Sequence, residues 1–238
     1  MILSRVIEHV KHQNWTAIGI DFVIVVLGVF IGIQVSNWNA ARHERTEQHQ
    51  VDDRLRNDFQ GLDKALSVGL AWQEKVILSL ATLKTAIDRG KALESEDEAI
   101  KYALAYGRAY PSFERKSATY NELVSSGKLN LIRDDALRNA LAVYNERIDN
   151  SLYNIDQTRE PINTNLIFLA QYAKLTPIEK GAVGIQSVLS YDIAAMAQDK
   201  EFRRRLDILI VTQTWIYANL ASQRRAIDAV KNAMEAEK

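Results

Sequence analysis

The sequence predicts an all-α protein: one N-terminal transmembrane helix continuing into a long stalk helix, followed by an antiparallel helical bundle. Three observations predict it. Residues 15–38, WTAIGIDFVIVVLGVFIGIQVSNW, hold a single ionisable residue, Asp21, between Ala17 and Val35. At ~1.5 Å rise per residue that run reaches about 30 Å, the hydrocarbon thickness of a bilayer. Apolar residues then recur with helical period through three later stretches, while strand-like alternation is nearly absent. Three Pro and ten Gly among many Ala, Leu and charged residues suit a mostly helical chain.

Residues 1–14 come first. Ile2, Leu3, Val6, Ile7 and Val10 oppose Arg5, His9, Lys11 and His12, the pattern of a short amphipathic helix lying in the membrane interface. A secretory signal is the rival reading. The apolar run exceeds a typical signal core, and Gln34 to Ala41 offers no small-x-small cleavage site, so an uncleaved signal anchor is expected.

The transmembrane anchor spans 15–38, with Trp15 and Trp38 as interfacial anchors at its ends. Asp21, Val25, Gly28, Gly32 and Val35 follow at intervals of 4, 3, 4 and 3, a single stripe on a helix. Gly28 and Gly32 form a GxxxG pair, which lets two helix backbones approach closely, although Gly is common in such helices for other reasons. A carboxyl at Asp21 costs a few kcal/mol in lipid unless it is protonated, paired or wet. It either faces protein or snorkels to the headgroups, and both readings stay open. Charge does not orient the anchor: Arg5 and Lys11 precede it, and Arg42, Arg45, Arg54 and Arg56 follow it.

Residues 39–238 form the helical bundle domain. Its first long helix, about 39–89, continues the anchor without a stop and carries Leu55, Phe59, Leu62, Leu66, Leu70, Ile77, Leu80 and Ile87 inward. Arg89-Gly90 ends it, a basic last turn followed by a C-cap glycine. Ser95-Glu96-Asp97-Glu98 reads as a capping box opening a short helix over about 95–106, broken by Tyr110-Pro111-Ser112. A second short helix, about 117–126, closes at the structural turn Ser125, Ser126 and Gly127: the hydroxyls satisfy carbonyls and Gly127 supplies the positive φ. Asp134-Asp135 opens a long helix over about 134–175 that Pro161 ends or kinks before INTNLIFLAQYAKL continues helically. Residues 178–191, with Gly181 and Gly184, carry the weakest pattern. Asp199 caps a last long helix, about 199–237, with Phe202, Leu206, Leu209, Gln213, Trp215, Ile216, Leu220 and Ile227 on its apolar side.

Two stretches carry a family resemblance. GIDFVIVVLGVFIGIQVSNWNAARHER has an acidic residue after Gly, a Gly-rich apolar run, then Gln and an Asn-Trp-Asn exit. TYNELVSSGKLNLIRDDALRNALAVYN (119–145) has a short helix, a Ser-Gly turn, and a second helix opening with acids. Together they resemble a family of uncharacterised bacterial single-pass membrane proteins. The resemblance implies residues 1–14 in the cytoplasm and a helical domain on the periplasmic side of the inner membrane. It brings no activity, substrate or cofactor.

Chemistry is sparse. Lys plus Arg and Asp plus Glu balance at 30 each, which argues against nucleic acid as a partner. Without Cys, thiol catalysis, disulfides and Cys-ligated metal sites are excluded. His43 with Glu47, and His49 with Asp53, stand four apart, but ligation needs three or four converging groups and these read as solvated surface. No HExxH, P-loop, GxGxxG or GxSxG occurs, and no His follows His49 to serve Ser125 or Ser126 as a base. Nine Tyr could line a crevice between helices or sit at the core edge with wet hydroxyls. The expectation is therefore no enzyme, no metal and no cofactor. The chain is expected to be a structural or accessory subunit of a membrane assembly, with the lipid bilayer and either itself or an integral membrane complex as partners. The alternative is a membrane-anchored sensory or ligand-binding bundle, against which only about fourteen residues precede the anchor for signalling output.

Overall fold

The computed structural model of the chain describes residues 15–109, 116–164, 168–176 and 187–236. The expected interfacial helix 1–14 and the Tyr110-Pro111-Ser112 break lie outside them, as do the side chains of Trp15, Asp21, Leu152, Ile155 and Pro161.

The fold is all-α. Helix α1 spans Trp15–Arg89, 75 residues; α2 spans Asp97–Tyr106, α3 Ala118–Ser126 and α4 Asp135–Thr164. Strands β1 (Ala173–Leu175) and β2 (Val188–Tyr191) form a small antiparallel pair, and α5 (Ile193–Gln198) and α6 (Lys200–Ala236) complete the chain. The chain divides into one unit through Val51 and a second from Asp52 onward.

Helix ends follow side-chain chemistry. At the end of α1, Gly90 adopts φ 75°, its N–H bonds to Ile87 O, and the Lys91 N–H reaches back to Ala86 O. This doubly bonded left-handed cap satisfies two carbonyls that the helix leaves open. Carboxylates do the converse at helix starts. Asp134 Oδ1 accepts from the Leu137 N–H at 2.6 Å, Asp192 Oδ1 from Ala195 at 2.9 Å, and Asp199 Oδ1 from Glu201 and Phe202.

In the second unit, α6 runs antiparallel to α1. Contacts descend one helix as they ascend the other: Asp88 with Arg203, Lys84 with Asp207, Gln73 with Gln213, Ser67 with Arg224, and Asp63 with Lys231. Val76, Leu80 and Leu83 of α1 share one buried core cluster with Phe202, Leu206 and Leu209 of α6, and Leu55, Phe59, Leu66, Ile216 and Leu220 are buried along the same two helices. Each such side chain contributes roughly 1.5–3 kcal/mol. Helix α4 adds Leu137, Leu141, Tyr144 and Ile148, with Tyr144 edge-on to Phe59 at 5.0 Å. Ser151 Oγ accepts from Gln223 Nε2 at 2.7 Å.

Two expectations need correction. The helix expected over 134–175 ends at Thr164; the chain turns at 168–172 and enters β1. Phe168 and Leu169 are buried in the core, and the backbone after them pairs with β2, Ala173 opposite Tyr191 and Leu175 opposite Val188. Thr176 precedes Pro177, and a residue before proline resists the α conformation. The weakly patterned 178–191 accordingly contains β2, while 178–186 lie outside the described residues. The capping box at Ser95 is also displaced. Glu96 accepts from the Leu93 N–H at 2.9 Å and from Arg89, so Leu93 occupies the cap of a single 3₁₀ turn, Glu94–Glu96, before α2.

Candidate functional site

The apolar segment of α1 is the first candidate. Among the described residues, α1 is long and apolar enough to cross a membrane, and none of its most apolar window is buried. At ~100° per residue, the positions Asp21, Val25, Gly28, Gly32 and Val35 span about 80° of the helix surface. A Cβ on Gly28 or Gly32 would meet nothing within 4 Å. Trp38 is exposed, and the Arg42 guanidinium sits 5.9 Å from its ring centroid, one turn on.

The turn after α3 is the second. Ser117 caps the helix start, its Oγ accepting from the Tyr120 N–H at 3.1 Å. At the other end Ser125 Oγ donates to Glu122 O (3.0 Å) and Ser126 Oγ to Leu123 O (3.4 Å). Gly127 takes φ 70°, and the Lys128 N–H returns to Leu123 O at 2.9 Å. Tyr120 and Leu123 are buried and Leu129 is half-buried, so the turn is anchored by packing and its hydroxyls serve the backbone.

Asp58 ties this helix to α1. Burial pushes its carboxyl up, but bonds from the Thr119 N–H (2.9 Å) and Ser117 Oγ (2.7 Å) outweigh that and hold it below the usual range. Beside it lies a cleft of about 310 Å³ lined by Asn57, Asp58, Gly61, Leu62, Lys116 and Ser117. Among the described lining residues both charged groups are engaged, Asp58 as above and Lys116 with Asp149 at 2.6 Å.

The other sequence candidates stay apart. His43 Nε2 stands 3.8 Å from Glu47 Oε1 on exposed helix. Among the described residues no three His, Asp or Glu gather to hold a metal. The tyrosines occupy separate places. Tyr102 stacks on Tyr106 at 4.6 Å with Lys75 Nζ 4.2 Å above its ring, and Tyr144 is buried against Phe59. Tyr172 and Tyr191 donate to Asp199 (2.8 Å) and Asp97 (2.9 Å). Burial, then the bond to Asp97, pushes the Tyr191 hydroxyl up to about 12.

A buried polar node escaped the sequence reading. Gln73 and Gln213 are fully buried. Gln73 Nε2 donates to Gln213 Oε1 at 2.6 Å, and Gln213 Nε2 donates to the carbonyls of Gly107 (2.7 Å) and Ala109 (3.0 Å). The node closes the orphan carbonyls after α2. Gln213 on an otherwise apolar face was the available signal. Gly107 is its neighbour, and a Cβ there would lie 2.7 Å from Leu80 Cδ2 and overlap Ala103 O.

The model of a family of unknown function (DUF6090) matches residues 21–168, more than half of the chain. No curated protein and no solved structure matches.

Proposed function

The chain belongs to this family of unknown function, and from that premise we propose that it is a single-pass membrane protein that works by assembling. It is a structural or accessory subunit, joined to copies of itself or to an integral membrane complex. The observation that carries the reading is the α1 stripe: Gly28 and Gly32 open on one face, with Val25, Val35 and the Asp21 position beside them. Helices in lipid gain little from apolar burial against one another, so association rests on close backbone packing and polar contacts. This stripe supplies both. Its place is the inner membrane of a bacterium, with the N-terminus cytoplasmic and residues 39–238 periplasmic. The family resemblance supports that orientation.

Crosslinking in native membranes tests the assembly. Replacing Gly28 and Gly32 by Leu should loosen the complex, and Asp21→Leu should change its size or partner. Identical crosslinked species from parent and triple variant would mean that the stripe faces lipid, and the reading fails. Alkaline phosphatase fused at the C-terminus should be active; a bright cytoplasmic reporter there would reverse the orientation.

A further inference from the structure

Just beyond the apolar run, α1 carries a one-sided basic face. Trp38, Arg42, Arg45 and His49 follow at intervals of 4, 3 and 4, and at ~100° per residue they fall within about 60° of the helix surface. All four are exposed. The carboxylates nearest Arg42 and Arg45 in sequence, Glu44 and Glu47, lie about 130° and 170° round from the centre of that face, while Asp53 follows His49 by four residues. Both glutamates are engaged there: Glu44 Oε1 accepts from Gln48 Nε2 at 3.1 Å, and Glu47 stands 3.8 Å from His43.

The depth fits a headgroup. Trp38 closes the apolar run, and Arg42 and Arg45 follow about 6 and 10 Å further along the axis. The polar layer of one leaflet is about 5–8 Å thick, so Arg42 lies within it and the long Arg45 side chain reaches back into it. The guanidinium of Arg42 already leans over the Trp38 indole, which fixes it at the level of the ring. A guanidinium offers paired donors to a phosphate. The face also sits about 90° from the small-residue stripe, so a helix contact through the stripe leaves the arginines turned to lipid.

We infer that Arg42 and Arg45, backed by Trp38, bind the phosphate of anionic phospholipid in the leaflet at that end of α1. The inference rests on the membrane reading above and adds a lipid class to it.

The test uses the full chain in vesicles holding either brominated phosphatidylglycerol or brominated phosphatidylcholine. The fluorescence difference between parent and W38F isolates Trp38 in each background. Brominated phosphatidylglycerol should half-quench Trp38 at a mole fraction about fivefold lower for each arginine. The preference should vanish in R42Q/R45Q and shrink in high salt. Equal quenching by the two lipids overturns the inference while leaving the membrane reading intact. No quenching by either lipid overturns both.

Discussion

Gly107→Ala adds one methyl group where the structure leaves no room for it. Gly107 has ordinary helical angles, φ −56° and ψ −23°, so the backbone itself accepts alanine. In open space the change would stabilise by ~0.4–1 kcal/mol through the unfolded chain. Here the added Cβ meets Leu80 Cδ2 at 2.7 Å and Leu169 Cδ1 at 3.3 Å, and overlaps Ala103 O. Leu80 and Leu169 are buried in the core and a carbonyl of α2 cannot swing aside, so α2 has to shift. Overpacking of this kind costs about 1–3 kcal/mol, and the Gln213 bond to Gly107 O strains with it. The expected net loss is about 1–2 kcal/mol, or roughly 2–8 °C in melting temperature for a unit of this size. The assay is thermal unfolding of the full chain in detergent, followed by circular dichroism. Leu80→Val in the same background should recover only part of the loss, since the carbonyl overlap remains. A Gly107→Ala chain as stable as its parent, or more so, would refute the packing argument.

Gly127→Val should cost about 1 kcal/mol or more for the opposite reason: there is space around it, but φ 70° disfavours any β-branched residue. Gly127→Asn should cost less in the same melting experiment. Gln213→Leu strands the carbonyls of Gly107 and Ala109 and leaves Gln73 Nε2 only its 3.0 Å bond to the Gln213 main-chain carbonyl, and should lower stability by about 2–3 kcal/mol in denaturant titration. In a double-mutant cycle Gln73→Leu should add much less on top of it than it costs alone. Asp63 bonds Lys231 at 2.7 Å and also meets Arg224. The Lys231 bond, against desolvation and with help from Arg224, holds its carboxyl below the usual range. A folded-state pKa below the unfolded value stabilises above about pH 4 and loses that contribution as pH falls through the folded value. The gap in unfolding midpoint between parent and Asp63→Asn should therefore be full at pH 7 and close below pH 4.

Much of the fold was legible because it is written in local terms. A long helical period ending at Arg89-Gly90 needs no tertiary help to be read, and neither does Ser125-Ser126-Gly127 closing a helix. The β1–β2 pair was not legible. FLAQYAKL carries helix-compatible spacing, and its strand end is decided by partners far along the chain: Tyr191 pairs with Ala173, and the Tyr172 hydroxyl is bound to Asp199. Thr176-Pro177 was the one local hint. For the candidate site, the Gly28 and Gly32 spacing and the Trp38 bracket are visible in one dimension. The Gln73–Gln213 node joins residues 140 apart, so only the folded chain reveals it.

The antiparallel seam of α1 and α6 brings the two ends of the second unit together. Arg56 Nη2 donates to Met234 O at 2.7 Å, and Lys231 reaches Asp63 a few residues further in. A pull applied between residue 52 and residue 236 would open that seam like a zipper. It would break Arg56–Met234 first, then the Asp63 cluster, then Ser67–Arg224, one contact at a time and never the whole row in shear. The seam is thus mechanically weak from this end and strong against sliding. The last turn of α6 is thus held beside Arg56, close to where the unit begins.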